Sequence, residues 1–254
     1  MKLIKLLPAA LTTLLLSGCF SHQPTLETAL IEPKQVTAAI LLENQLNARN
    51  DVATPANENW FKVIPGNQPV IITAPHSTRP FREGKKRFSD GGGTAALAVA
   101  IGKMTGASVI YTTYEGPSDP NYYDNNAFKR TLDQLIEQKQ PKLLLDLHGS
   151  HPFRSYDIDL GTMYDRSLLG QTHLIKDLIN QLDKEGIKSI SNNRFPAAKH
   201  QTIAKFASAR GVPSMQLEVN ATYISPAAGN IEAQRFSKLL QALVRFIDQQ
   251  GLSQ

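Results

Sequence analysis

The sequence predicts a three-layer α/β/α domain built on a mixed, largely parallel central sheet, and three observations predict it. Short apolar runs at 70–74, 107–111, 142–147 and 214–219 have strand length and are bounded by breakers such as Pro75, Pro141, Gly149 and Pro213. Stretches with helical periodicity separate them. Strands alternating with helices give a parallel sheet covered on both faces, which is where runs apolar throughout belong.

Taken in order, the first residues are not fold. Lys2 and Lys5 precede an apolar run from Leu6 to Leu16, followed by Leu16-Ser17-Gly18-Cys19. A charged start, an apolar stretch too short for a mature membrane helix and small residues at a cut site predict an export signal over 1–18. The cysteine at the cut site resembles the lipobox of bacterial lipoproteins, which implies cleavage before Cys19, lipidation of its thiol and a membrane-anchored place in the cell envelope, facing the periplasm. Residues 19–58 then form a lipidated arm and linker. Within it 33–49 is expected to be helical, with Val36, Ile40 and Leu41 on one side, and 50–59 is polar and turn-rich.

The domain proper is expected over 59–254. After the first strand, Leu97, Ile101 and Met104 share a face of a helix that begins near Gly93. Phe236, Leu239, Leu240, Leu243, Val244 and Ile247 line the last helix. Gly91-Gly92-Gly93 matches neither phosphate-binding glycine pattern, so it reads as a turn. No Gly-x-Ser-x-Gly elbow occurs.

Composition narrows the chemistry. Cys19 is the only cysteine, which rules out an internal disulfide, a cysteine nucleophile in the domain and a thiolate metal site. Loss of Lys2 and Lys5 with the signal lowers the formal charge from +5 to +3, too little to argue for nucleic acid as a partner.

In open α/β sheets, sites gather at the carboxyl ends of strands. The first strand ends at Ala74-Pro75-His76-Ser77, the third at Asp146-Leu147-His148-Gly149, and the fourth carries Gln216-Leu217-Glu218-Val219-Asn220. Imidazoles and carboxylates are the natural zinc ligands where thiols are absent, and a catalytic zinc takes three protein ligands and a water. His76 and His148 supply two ligands. Asp90, just before the second helix, is the expected third, with Glu83 the alternative and an N-cap the competing role for Asp90. Asp146 projects to the same side as His148 and can support it. Glu218 can move the water proton. Arg79, Arg154 and Arg194 are candidates for holding a substrate carboxylate, and His151 and His200 for stabilising an oxyanion.

These motifs, in this order, together with 193–196, resemble the N-formylglutamate amidohydrolase family over about residues 68–247. The resemblance implies a fold similar to the zinc carboxypeptidases, with His76, Asp90 and His148 as zinc ligands and Glu218 as the catalytic glutamate. Two departures bear on the substrate. Thr78 stands where the family usually has glycine, and after Asp157 and Gly161 come Thr162, Met163 and Tyr164, with Arg166 late. The expectation is therefore a zinc-dependent amide hydrolase acting on an N-acyl amino acid or an envelope peptide that bears a carboxylate, γ-glutamyl polymers included. The alternative is a non-catalytic envelope lipoprotein that uses the fold to bind a ligand or partner.

Overall fold

The apolar runs become the centre of a seven-stranded sheet. The computed structural model describes residues 28–252, so the expected signal over 1–18 and the expected anchor at Cys19 lie outside the described residues. In chain order the elements are α1 (Pro33–Asn47), β1 (Phe61–Ile64), β2 (Val70–Ala74), β3 (Phe81–Arg82), β4 (Lys85–Lys86), α2 (Gly92–Thr105) and β5 (Ser108–Thr112). There follow α3 (Ala127–Lys139), β6 (Leu143–Ser150), β7 (Ile158–Gly161), α4 (His173–Lys184), β8 (Ile190–Asn192), α5 (Ile203–Ser208), β9 (Ser214–Asn220), α6 (Ala221–Ile224) and α7 (Asn230–Gln249).

The sheet order is β1-β5-β2-β6-β9-β7-β8, while β3 and β4 form a separate small hairpin. The four strands expected from the sequence, β5, β2, β6 and β9, are contiguous and parallel. The others make the sheet mixed: β1 runs antiparallel to β5, β7 antiparallel to β9, and β8 parallel to β7. These three flanking strands are only three or four residues long, below the length at which apolar patterning is distinctive.

Side-chain alternation sends the two faces of each strand into different cores. One face, with Ile72, Leu145, Leu147 and Leu217, packs on α2, α4 and α7. The other, with Ile71, Ile110 and Leu144, packs on α3 and α5 through Phe128, Leu132, Ile203 and Phe206. Burying each such side chain fully stabilises the fold by about 1.5–3 kcal/mol. No helix among the described residues is long and apolar enough to cross a membrane.

Two helices differ from expectation. In α1 the buried residues are Ala39, Glu43 and Leu46, whereas Leu41 is 66% exposed. The reason is tertiary: the Glu43 carboxylate accepts the Ala227 amide at 2.7 Å and the Asn47 side chain accepts the Gly92 amide at 2.8 Å, which turns that face inward. The helix of the expected arm is thus docked on the domain. α2 is buried nearly all round, since α1, α7 and the sheet enclose it. Its glycine-rich start serves this packing, because a Cβ on Gly93 would lie 1.8 Å from the Ile224 carbonyl oxygen. The last helix buries all six residues expected to line it.

Candidate metal centre

The face that packs on α3 and α5 changes chemistry along the strand direction. Its apolar rung of Ile71 and Leu144 gives way to a rung of Thr73, Asp146 and Gln216, registered across β2, β6 and β9. The next rung pairs His148 with Glu218 and Glu218 with Asp159. Polar groups buried this deeply cost several kcal/mol unless they are hydrogen-bonded. They are bonded: the Thr73 hydroxyl donates to Asp146 Oδ1 at 2.6 Å, and Asp146 Oδ2 lies 3.0 Å from His148 Nε2.

His76 enters from the turn that follows β2, two residues past its end. Asp90 is brought in by the backbone, its amide donating to the His76 carbonyl at 2.7 Å. Gly149 permits this approach, since a Cβ there would stand 2.4 Å from the Asp90 carbonyl oxygen. The structure thereby brings together His76, Asp90 and His148, all buried or nearly so. Nδ1 of His76 is 3.2 Å from Nδ1 of His148 and 3.3 Å from Asp90 Oδ2, and the remaining side of the triangle is 2.8 Å. Three ligands of a tetrahedral ion with arms of about 2.0–2.1 Å stand about 3.3–3.4 Å apart. The donor atoms thus already approach the spacing that such an ion requires.

The back of each imidazole fixes which nitrogen faces inward. His76 Nε2 lies 2.7 Å from Asp119 Oδ1, and Asp119 Oδ2 accepts two bonds from Arg82, at 2.8 and 2.5 Å. Burial raises the Asp119 carboxyl, but the His76 ring and Arg82 outweigh it and hold the group well below its ordinary value. An ionised carboxylate only accepts, so His76 Nε2 carries the hydrogen and its Nδ1 presents a lone pair. Asp146 acts alike on His148. Two ring nitrogens and a carboxylate oxygen therefore converge with no intrinsic donor among them, a cluster that calls for a cation or a proton. For His148, burial disfavours the charged form, yet Asp146 and Asp90 overcome it and raise the ring well above its usual value. For Asp90, burial pulls upward while Arg87, His76 and His148 hold the carboxyl well down. Arg87 Nη1 donates to Asp90 Oδ1 at 2.8 Å. The residues present fit a divalent ion held through two imidazoles and one carboxylate.

Glu218 shares a rung with His148 on a strand about 4.8 Å away. Its Oε1 accepts from Gln216 at 3.0 Å. Burial pushes its carboxyl up to about 7, opposed by His148 and reinforced by Asp90.

Other expected residues are placed differently. Glu83 is exposed and accepts the Tyr122 hydroxyl at 2.5 Å, outside the cluster, so it is no alternative to Asp90 in this geometry. It sits at the tip of the β3–β4 hairpin, which carries it outward. Arg79 pairs with Asp51 at 3.0 Å and fastens the linker instead of reaching the cluster. Arg154 lies over the Phe195 ring and Arg194 over Tyr156, at 5.1 and 5.7 Å, and both side chains are exposed. His200 stacks on Tyr122, with ring centroids 4.4 Å apart, while His151 is exposed beside Phe153. Thr78 ties its turn to the end of β5 by donating to the Tyr114 carbonyl at 2.6 Å.

Sequence reasoning missed Asp119, Asn121, Arg82 and Arg87. Asn121 Nδ2 sits 3.3 Å from His148 Nε2, and its Oδ1 accepts the Ile203 amide at 2.7 Å, joining the centre to α5. No periodicity marks these positions: Asp119, Asn121 and Arg87 lie in loops, and Arg82 ends the two-residue strand β3. The one available signal was an acidic residue beside a proline, Asp119-Pro120, in a segment following a strand end.

No family model matches the chain, and no curated protein matches it. Among solved structures, the chain is similar to an N-formylglutamate amidohydrolase from Ralstonia eutropha JMP134, with TM-score 0.56 and 14% identity, covering 75% of this chain and 98% of that one. It is also similar to the gene product Atu2144 of Agrobacterium tumefaciens, with TM-score 0.54 and 11% identity, covering 78% of this chain and 98% of that one. A metallo-carboxypeptidase from Burkholderia cenocepacia has TM-score 0.47 and 12% identity, covering 78% of this chain and 60% of that one. At such identities the likeness establishes the fold: a mixed seven-stranded sheet flanked by helices, shared with an amidohydrolase.

Proposed function

We propose that the protein is a zinc-dependent hydrolase of a C–N amide bond, acting on an N-acyl amino acid or cell-envelope peptide that carries a carboxylate. One observation carries this reading: three acceptor atoms converge within 3.3 Å of one another, each imidazole is held from behind by a carboxylate, and Glu218 stands on the same rung. Likeness in fold to an amidohydrolase supports it as analogy.

His76 Nδ1, His148 Nδ1 and Asp90 Oδ2 would hold the ion. When bound, zinc polarises a scissile carbonyl and lowers the pKa of a water to about 7. Glu218 takes a proton from the attacking water and returns it to the leaving nitrogen as the C–N bond breaks, yielding a carboxylate and an amine. A carboxyl poised near neutral pH suits both halves of that transfer. The hydrogen bond from Gln216 orients one oxygen and leaves the other for the proton. Arg154 and Arg194, on loops beyond the rung of Glu218, receive the substrate carboxylate. Export through residues 1–18 and anchoring at Cys19 would place this chemistry in the envelope, where peptide amides are available.

Metal analysis of the purified protein and turnover of a panel of N-acyl amino acids and wall peptides test the proposal together. About one zinc per chain and release of amine are expected. Protein that binds no metal and turns over nothing on the panel would favour a ligand-binding lipoprotein instead.

A further inference from the structure

On the sheet face opposite the metal centre, a groove of about 620 Å³ runs between α1, α2 and the outer strand β1. Its side is fixed by register: Lys62 and Ile64 of β1 pair with Tyr111 and Val109, which point into the core under α2. Leu42, Val99, Met104 and Ile64 make an apolar floor, and Leu41 stands exposed at the mouth. Three lysines, Lys34, Lys62 and Lys103, line the groove and no carboxylate does. Lys34 reaches outward to Glu32 at 2.5 Å, whereas Lys62 and Lys103 have no ion-pair partner among the described residues.

We infer that this groove seats the protein on an anionic phospholipid bilayer, with the lysines on the headgroups and Leu41, at the mouth of the apolar floor, meeting the acyl region. The charge pattern selects the occupant. An apolar floor lined by lysines, two of them without an ion-pair partner among the described residues, and by no carboxylate complements an amphiphile with an anionic head. A neutral peptide would leave the ammonium groups unanswered. Chain geometry agrees. The path from Cys19 to Lys34 spans at most roughly 50 Å when fully extended, so a bilayer near residue 19 is within reach of α1. Docking by this face also leaves the rung of His148 and Glu218 uncovered by the bilayer, on the other side of the sheet. The inference does not depend on the hydrolase reading.

The test compares the full chain with its Lys34→Gln/Lys62→Gln/Lys103→Gln variant, using vesicles of phosphatidylcholine alone and vesicles containing one-third phosphatidylglycerol. The apolar stretch at 6–16 is common to both proteins, so the difference reports the lysines. Each lysine near an anionic surface is worth roughly fivefold in affinity. Wild type should therefore prefer the anionic vesicles by at least about tenfold, and the triple variant should lose that preference with its metal content unchanged. A Leu41→Trp variant should show a fluorescence component that brominated acyl chains quench, against the buried Trp60 background. Equal partitioning into both vesicle types, an undiminished preference in the triple variant, or no quenching at position 41 would overturn the inference. Concentration-dependent self-association that shields position 41 would assign the groove to a second copy and overturn it as well.

Discussion

The metal-binding cluster and the loops that carry Arg154 and Arg194 are held by different forces. On the metal side, His76, Asp90 and His148 are buried, and each is tied by charge-assisted bonds to groups that are themselves tied: Asp119 to Arg82, Asp146 to Thr73, Asp90 to Arg87. On the loop side, Asp159 fixes the backbone, accepting the Arg194 and Phe195 amides at 3.0 and 2.8 Å. The guanidinium heads of Arg154 and Arg194 lie over rings and remain exposed, and Arg194 adds one bond, to the exposed Ser155 hydroxyl at 3.2 Å. One side is buried and preorganised to the side-chain tip, the other mainly at the backbone. Substitutions on the first should strike metal affinity and rate, and those on the second should strike substrate affinity alone.

The largest effect is expected at Glu218. A Glu218→Gln substitution preserves shape and leaves the three metal-side residues in place, but it removes the proposed proton carrier. Turnover should fall about 10²–10⁴-fold with metal content unchanged, read by single-turnover kinetics alongside elemental analysis. Retained turnover would remove Glu218 from the mechanism.

Next in size is Asp119, one step behind the cluster. Asp119→Asn keeps the bulk and breaks the charge that holds His76 Nε2–H and Arg82. Zinc affinity should weaken about 10–100-fold in a competition titration with a chromogenic chelator. An unchanged affinity would show that the back of His76 contributes nothing, and the contrast between the two sides would narrow.

The same contrast explains what could be read before the structure. His76, His148 and Glu218 stand at or within apolar runs, and a strand's two-residue alternation announces which side chains share a face. Asp90 was within reach because it precedes a helix. Asp119, Asn121, Arg82 and Arg87 were not, since their places follow from how the segment carrying the β3–β4 hairpin meets the loop after β5, and such a meeting leaves no period in a sequence. For the fold, the four inner strands were legible because strands buried on both faces are rich in apolar residues, even though β6 and β9 carry the polar rungs of the site. β1, β7 and β8 were too short, and the face of α1 was chosen by contacts at Glu43 and Asn47 that a periodicity argument cannot see.

A smaller effect concerns stability and pH. In the metal-free protein, burial lifts the Glu218 carboxyl from an ordinary 4.5 to about 7. The unfolded chain therefore ionises this group first. Its contribution to stability is complete below about pH 4.5 and is lost as the pH rises through about 7. Glu218→Gln removes that loss. The metal-free variant should match wild type at pH 4 and exceed it at pH 8 by on the order of 2 kcal/mol, a figure reduced for the group's partial contact with solvent. Denaturant titrations at the two pH values measure it, and equal stabilities at pH 8 would place the carboxyl in a wetter setting than its rung implies.

The smallest effect is expected at Arg194. A charge-assisted bond to a substrate carboxylate is worth about 1.5–3 kcal/mol when sheltered, and an exposed one delivers less. Arg194→Ala should raise KM roughly tenfold for substrates that bear a carboxylate and leave kcat near wild type, because binding lost equally in ground and transition states changes KM alone. An amide-capped substrate should be indifferent to the substitution. Arg194→Lys should restore only part of the affinity, since an ammonium cannot match the planar fork that lies over Tyr156. If kcat falls instead, the loop holding Phe195 reaches the reacting atoms, and Asp159, which anchors that loop from the rung of Glu218, transmits order from the metal side to the substrate side.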